Sequence, residues 1–320
     1  MPAPSMTTGD AGGTLGGDTV KTVFNQAALK AFRANFVFRR LADVKWAGGP
    51  GAQPMPGVAV TFTIITAMTP ATSALSETVE PTPVNISDTQ KTVTLVEQGN
   101  AVKSTMKLRK TTFLDWDLTV PNEVAANMEE SLDIVARDIL VAGTNVYYSG
   151  AATSRVTVSN AMNLTAAGVR KMRSKLSGFN TPPPNGSTMY VGIVHPDSTF
   201  DLQQETGNQA WNAPHDYSAP EQIWTGEIGS FSGVRFIENA NSKNFVDAGV
   251  GGTVDVYASI FVGLQALGEA VGFAQRMVIS GPFDDLQRFI SVGWYALIGY
   301  GRIRENSLLR FESSSSIGAN

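Results

Sequence analysis

Residues 121–148, PNEVAANMEESLDIVARDILVAGTNVYY, constrain the fold more than any other stretch. Val124, Met128, Leu132, Val135, Ile139, Ala142 and Val146 recur at alternating steps of four and three, which gathers them on one stripe of a helix. At 1.5 Å of rise per residue that helix is roughly 40 Å long, and it is expected to be the longest in the protein. Pro121 suits its first turn, Glu123 complements the positive end, and Asp133 with Arg137 has the i, i+4 spacing of a surface ion pair. Ile134, Leu140 and Val141 lie off the stripe. A second apolar patch suggests a helix covered on more than one side, as a spine under a sheet would be; on this stretch alone an ordinary core helix of an α+β domain is the more common reading.

The segments before and after the helix read mostly as strands and loops. Asp18 can cap a helix from Thr19 to about Arg40, which ends before the Gly48-Gly49-Pro50-Gly51 breaker. Over residues 57–68 the period becomes two: Val58, Val60, Phe62 and Ile64 alternate with Ala59, Thr61 and Thr63. A partner strand is expected over 92–96, continuing through 102–108. Residues 69–90 between them include Pro70, Pro81 and Pro83, much Thr and Ser, and little apolar content. A loop of that length is uncommon inside a compact domain and is usually functional, so the pattern predicts a two-stranded arm projecting from the body. After the long helix, Thr165 caps a shorter one that Gly178 stops, with Leu164 placed to staple onto Val169. Residues 189–194 form a strand, Asp197 caps a short helix through Gln204, and 205–222 is irregular. Further strands are expected at 234–238, 254–262, 289–303 and 307–312.

The ingredients of catalysis are present only in unhelpful arrangements. His195 and His215 are the sole histidines, so a histidine-rich metal site is excluded, and a mixed one would need Asp197 or Asp216. His195 before Pro196 at a strand end reads as a structural turn residue. Gly229-Ser-Phe-Ser-Gly233 has the wrong spacing for a nucleophile elbow and precedes a strand. Glu129-Glu130 and Asp284-Asp285 are adjacent carboxylates, which do not face each other as an acid and base must. Gly249, Gly251 and Gly252 lack the Lys-Ser/Thr of a phosphate loop. No catalytic, cofactor-binding or metal residue is therefore predicted, and the chain is expected not to be an enzyme.

Composition narrows the choice further. Only 16% of the 320 residues are charged, so the surface is mostly neutral and hydrogen-bonding, as suits a protein covered by neighbours. A formal charge of −4 supplies no global basic field for nucleic acid. Basic clusters at Lys21, Lys30, Arg33, Arg39, Arg40, Lys45 and at Arg170, Lys171, Arg173, Lys175 read as solvated helix faces. There is no cysteine, hence no disulfide framework. The first residues lack a signal-peptide pattern and no apolar run reaches membrane-spanning length, so a cytosolic product without membrane contact is expected. A secreted or surface β-rich binding protein shares the low charge and is the alternative, disfavoured by that missing signal.

The order of flexible arm, basic helix, long two-stranded loop, spine helix, mixed domain and returning strands resembles the Hong Kong 97 fold of tailed-phage major capsid proteins. MYVGIVHPDSTFDLQQETGNQAW, GEIGSFSGVRFIENANS and FDDLQRFISVGWYALIGYGRIRENSLLRFE, at 189–211, 226–242 and 283–312, resemble the major capsid family typified by phage N4. Where that family has Asp-Pro-Leu-Gly-Gln, this chain has Asp284-Asp285-Leu286-Gln287, which leaves the turn geometry open. The resemblance implies an α+β fold with an N-terminal arm and helix (1–45), an extended loop (46–113), the spine helix and start of a peripheral domain (114–159), an axial domain (160–270) and a return to the peripheral domain (271–320). It implies self-assembly through hexamers and pentamers into an icosahedral head shell, formed in the host bacterial cytoplasm and carried in the virion. Portal, scaffolding and decoration proteins are the implied partners, with packaged double-stranded DNA touched non-specifically and no cofactor. Some capsids of this fold join a loop lysine to a neighbour's asparagine. Lys91 is the loop lysine here, and with no partner asparagine picked out by the sequence the shell is expected to be held non-covalently.

If the helical stripe is core, Leu132→Asp buries an unpaired carboxylate and is expected to cost several kcal/mol, against a native margin of roughly 5–15 kcal/mol. Urea unfolding checks this, and a soluble, cooperatively unfolding Leu132→Asp subunit would put the stripe in solvent.

Overall fold

The computed structural model describes residues 36–47, 59–112, 116–206 and 227–317, apart from residues 73, 76, 79, 81 and 82. In chain order the elements are β1 (Ala42–Trp46), β2 (Ala59–Ile65), β3 (Asp88–Thr94), β4 (Val96–Thr105), α1 (Met106–Thr111), α2 (Trp116–Val141), β5 (Val146–Tyr148), α3 (Ala166–Gly178), β6 (Tyr190–Val194), α4 (Pro196–Gln204), β7 (Glu227–Phe231), β8 (Val234–Glu238), β9 (Asn244–Phe245), β10 (Val256–Val262), β11 (Leu267–Phe283), β12 (Phe289–Arg302) and β13 (Leu308–Ser313).

The long helix α2 is present but starts earlier and stops sooner than its apolar stripe suggests, with Pro121 inside it. Val120, Val124, Leu132, Ala136 and Leu140 are its buried positions, with Met128 partly buried among them. Steps of four overshoot a 3.6-residue turn by about 40° each, so the buried stripe winds around the helix. Its first half lies on β4 and β12, where Trp294 Nε1 donates to Asn127 Oδ1 at 3.0 Å. Its second half shares a core with Ile193, Ile260, Val262 and Leu308 of a different sheet. This winding is why Ala142 is exposed and Val146 belongs to β5, against the expectation that both extend the stripe. The helix has no basic residue in its last turn; Arg302 Nη1 donates to Ile139 O at 3.2 Å and Arg310 Nη1 donates to Val141 O. Cations delivered from distant strands thus cap its carbonyl end, which local sequence does not reveal.

One sheet has the order β1-β11-β12-β4, with β1 parallel to β11 and the other pairs antiparallel. Along β12, Val292, Trp294, Ala296, Ile298 and Tyr300 share the core of α2. The opposite face, on which Leu297 packs against the ribbon, is bare at its glycines. A Cβ on Gly299 would meet Thr94 O at 2.0 Å, one on Gly301 would meet Val93 Cγ2 at 2.5 Å, and one on Gly272 would meet Leu95 Cδ1 at 2.7 Å. Onto this bare strip lies the ribbon β2–β3, with Val60, Phe62, Val93 and Leu95 buried against Ala270 and Ile303. The alternation in residues 59–64 therefore survives, while Val58 lies outside the described residues. The continuation expected through 102–108 does not: the chain leaves the ribbon at Leu95, β4 joins β12, and Thr105 Oγ1 caps α1 by accepting from Leu108 N at 3.1 Å.

A second sheet runs β5-β13-β10-β6-β8-β7, with β9 on β10. β10 is buried along its whole length, and α3 and α4 cover one face through Val169, Met172, Leu176 and Leu202 against Phe236, Phe261 and Phe311. Thr165 caps α3 as expected, accepting from Gly168 N at 3.2 Å. The cap of α4 is His195, not Asp197: its Nδ1 accepts from Asp197 N at 3.2 Å. The helix expected over 19–40 lies outside the described residues except at its end, where Arg39–Leu41 form a single 3-10 turn.

Gly299→Ala tests whether the ribbon is seated as described. The methyl cannot share space with the Thr94 carbonyl, so the substitution should cost about 1–3 kcal/mol in urea unfolding and open residues 59–94 to protease. Parental stability and protection in Gly299→Ala would unseat the ribbon.

Candidate assembly surfaces

Two kinds of surface emerge from this architecture: buried polar nodes that fix the arms to the body, and exposed apolar segments that the chain leaves uncovered. The principal node is Asp133, 1% exposed in the middle of α2. Its Oδ2 accepts from Val37 N at 3.3 Å and its Oδ1 from Arg39 N at 2.9 Å, so the carboxylate draws the N-terminal segment onto the helix. Phe38 between them is fully buried. The Arg39 guanidinium then donates to Glu269 Oε1 on β11 at 2.9 Å and to Gln275 Oε1 at 2.9 Å, with Glu129 at 3.6 Å. Asp133 is thus not in the expected surface pair. Arg137 pairs with Asp138 at 2.7 Å and donates to Asn241 O at 2.8 Å. Burial pushes the Asp133 pKa up; the backbone donors and Arg137 only partly oppose this.

A second node holds the far sheet. Glu312, fully buried on β13, accepts from Arg155 Nη2 at 2.7 Å and lies 2.9 Å from Arg310 Nε. At the C-terminal end Ser315 Oγ donates to Asp197 O at 3.1 Å, and Ser316 N donates to Asp201 Oδ2 at 3.1 Å. His195 stacks on Tyr257 with ring centroids 4.9 Å apart, and Tyr257 Oη donates to Asp197 Oδ2 at 2.8 Å. Burial lowers the His195 pKa although Asp197 raises it. With its Nδ1 engaged by the helix cap, this histidine is built into a structural corner.

The remaining sequence candidates are dispersed. His215 and Asp216 lie outside the described residues. Glu129 faces Arg39, whereas Asp284 pairs with Arg288 at 2.7 Å at the β11–β12 turn. That turn, where the family pattern is altered, closes through Gln287 N donating to Asp284 O at 2.8 Å, with φ of 90° at Asp284 and 53° at Gln287. Gly249–Gly252 form a tight turn in which a Cβ on Gly249 would lie 2.6 Å from Val158 O. Ser232 and Gly233 make the hairpin turn between β7 and β8 with positive φ at both. Among the described residues no group of acids and histidines could hold a metal ion, and no helix is long and apolar enough to cross a membrane.

Two stretches each carry several exposed apolar residues. The first is the ribbon and the segment beyond it, where Ile65, Met68, Leu75, Val84 and Ile86 are more than half exposed. Lys91 sits here opposite Phe62, at the edge of a groove of about 460 Å³ that also includes Ile64, Phe179 and Asn180. The second is the outer half of the β11–β12 hairpin, a blade bearing Met277, Val278, Ile279 and Leu286. Of this blade, β12 matches the strand expected at 289–303, whereas β11 was not expected: Gly281-Pro282 reads as a break, and bulges interrupt the period of β11.

A family described as phage capsid protein matches residues 119–308, more than half of the chain. No curated protein matches it. Among solved structures, the capsid of Ralstonia phage GP4 is 15% identical, with 99% of this chain and 100% of that one covered at a TM-score of 0.77. The capsid of cyanophage P-SCSP1u is 14% identical over 93% and 94%, TM-score 0.70. The head of Helicobacter pylori bacteriophage KHP40 is 13% identical over 92% and 96%, TM-score 0.69. At such identities the likeness is one of fold.

The Asp133 node has a pH signature. Its folded pKa is raised above 3.8, so the native state holds this proton more tightly than the unfolded chain, and the stabilisation is full below 3.8 and lost as pH rises through the folded value. Asp133→Asn should therefore gain on the parent in unfolding free energy as pH rises from acidic to neutral, whereas Asp133→Ala, which strands two buried donors, should cost about 2–4 kcal/mol. A pH-independent difference between Asn and parent would place the carboxylate in solvent.

Proposed function

The chain belongs to the phage capsid protein family and is a major capsid protein that forms the head shell, and we propose that the shell closes because each subunit lends its exposed ribbon to a neighbour. The observation that carries this is the exposure, among the described residues of this segment, of the large apolar side chains of Ile65, Met68, Leu75, Val84 and Ile86, each more than half open to solvent. Extended chain rises about 3.3 Å per residue, so the seven residues of β2 alone span more than 20 Å, and the segment beyond it can reach an adjacent copy. Modest contacts suffice, since each subunit touches several others and closure makes the contacts mutually reinforcing.

The finer reading is an icosahedral shell of hexamers and pentamers with a Hong Kong 97-type fold, within the group typified by phage N4, around double-stranded DNA. The stretches at 189–211, 226–242 and 283–312 support the narrower group. Helix α2 between two sheets and the projecting ribbon support the division into arm (1–45), extended loop (46–113), spine (114–159), axial domain (160–270) and peripheral return (271–320). A net charge of −4 suits a lining that touches DNA without gripping it. The role is structural, assembly takes place in the host cytoplasm, and portal, scaffolding and decoration proteins are the further partners.

Thr66 N donates to Ser87 O at 2.9 Å, so the ribbon is closed before the exposed segment begins. Replacing residues 67–86 by Asn-Gly should leave a folded subunit with a melting transition within a few degrees of the parent, because shortening a loop changes little conformational entropy. Closed shells, measured by sedimentation and negative-stain imaging, should be lost. Normal particles from the shortened chain, or a subunit that no longer folds, would contradict the proposal.

A further inference from the structure

The blade formed by β11, β12 and β4 ends in two sheet edges, and they are treated differently. On the β4 side, Asn100 Oδ1 accepts from Ala101 N at 2.9 Å and Asn100 Nδ2 donates to Asn127 Oδ1 of α2 at 3.3 Å, so at the middle of that edge a side chain already engages the backbone. On the β11 side, β1 pairs only with Leu267–Val271, and Ala47 N adds a last bond to Val271 O. Beyond Val271, among the described residues, no strand pairs with the outer edge of β11. Bulges lie before Arg276 and after Ser280, leaving 276–280 as one regular stretch, Arg-Met-Val-Ile-Ser, in unbroken register with β12. Met277, Val278 and Ile279 there are 37%, 41% and 64% exposed. An apolar, regular edge left unpaired among the described residues is a template for another strand.

We propose that this edge pairs antiparallel with the same edge of a second copy about a two-fold axis through Val278, resting on the shell-forming role above. The register is self-complementary. Centring on Val278 sets Met277 opposite the partner's Ile279, and Arg276 opposite the partner's Ser280, so apolar groups meet and no like charges face each other. Shifting the centre to Met277 would place Arg276 opposite Val278 and Gln275 opposite Ile279, losing the apolar match. The symmetry also fits a shell. A two-fold axis relating adjacent antiparallel strands stands perpendicular to their sheet, so both copies keep α2 on the same side, as subunits sharing one inner and one outer surface must. The contact joins two blades into one continuous sheet and lies apart from the ribbon, which reaches a neighbour by its tip.

The chain has no cysteine, so Val278→Cys introduces a unique thiol. Facing Cα atoms in an antiparallel pair are about 4.5–5.5 Å apart, within reach of a disulfide. Particles of Val278→Cys, oxidised and run on a non-reducing gel, should shift mostly to dimers, while particles of the exposed control Val156→Cys stay monomeric. Val278→Lys sets two ammonium groups against each other and should reduce shell yield at least tenfold with an unchanged melting transition, with Val278→Thr near parental. An equal mixture of Val278→Lys and Val278→Glu chains should restore assembly. Parental shells from Val278→Lys alone, or intact Val278→Cys shells that remain monomeric on the gel, overturn the two-fold contact and leave the capsid role standing. A cross-link that forms only when Gln98→Cys on β4 is also present makes the contact head-to-tail and equally overturns it. A parent chain that never forms particles overturns both readings.

Discussion

A carboxylate buried in the middle of a helix is an expensive thing to keep, and Asp133 is kept because the rest of the subunit converges on it. Its two oxygens take the backbone donors of Val37 and Arg39, which turns the chain at Phe38 and sends Arg39 across to Glu269 on β11. Three elements distant in sequence, the N-terminal segment, α2 and the four-stranded sheet, are thereby locked at one point. Removing one partner of such a node leaves an uncompensated buried group, which costs far more than the pair itself contributes. β1 begins immediately after this turn and pairs with β11 from Ala42 onward, so the position of that sheet edge follows from the same carboxylate.

From that point the subunit divides into parts that satisfy themselves and parts that do not. α2 is shared by two sheets through a buried stripe that winds around it, and Arg302 and Arg310 close its carbonyl end from strands on either side. The glycine strip of β11 and β12 accepts the base of the ribbon at backbone distance. Past these contacts, the ribbon tip and the blade carry their apolar side chains into solvent. Large exposed apolar patches on a soluble chain mark surfaces meant for partners, and a low-charge composition is what remains when much of the surface is so used.

Much of this was legible in the residues. The alternation at Val60 and Phe62, the cap at Thr165 and the long helix with two apolar patches are local patterns, and local patterns survive folding. What misled was tertiary. Asp133 and Arg137 have surface-pair spacing, yet burial diverts Asp133 to backbone donors ninety residues or more away in sequence. His195 displaced Asp197 as helix cap because the helix already begins at Pro196, which puts His195 at the N-cap, where its ring nitrogen accepts from the Asp197 amide. β11 was invisible because its inner half is buried on both faces and its outer half exposed on both, so neither half alternates. Gly268 and Gly272 on its inner half leave the space in which the ribbon docks. The blade edge, proposed as a contact between copies, was for that reason beyond the reach of periodicity.

A core complete within one subunit, with the ribbon tip and blade edge completed only by other copies, has a direct signature in amide protection. Hydrogen exchange, measured on the isolated subunit and on assembled particles, tests this directly. Amides of α2, β10 and the inner half of β12 should be strongly protected in both states, while residues 66–87 and 274–282 exchange freely in the isolated subunit and become protected on assembly. Protection of those two segments already in the isolated subunit, or their free exchange within closed shells, would contradict it.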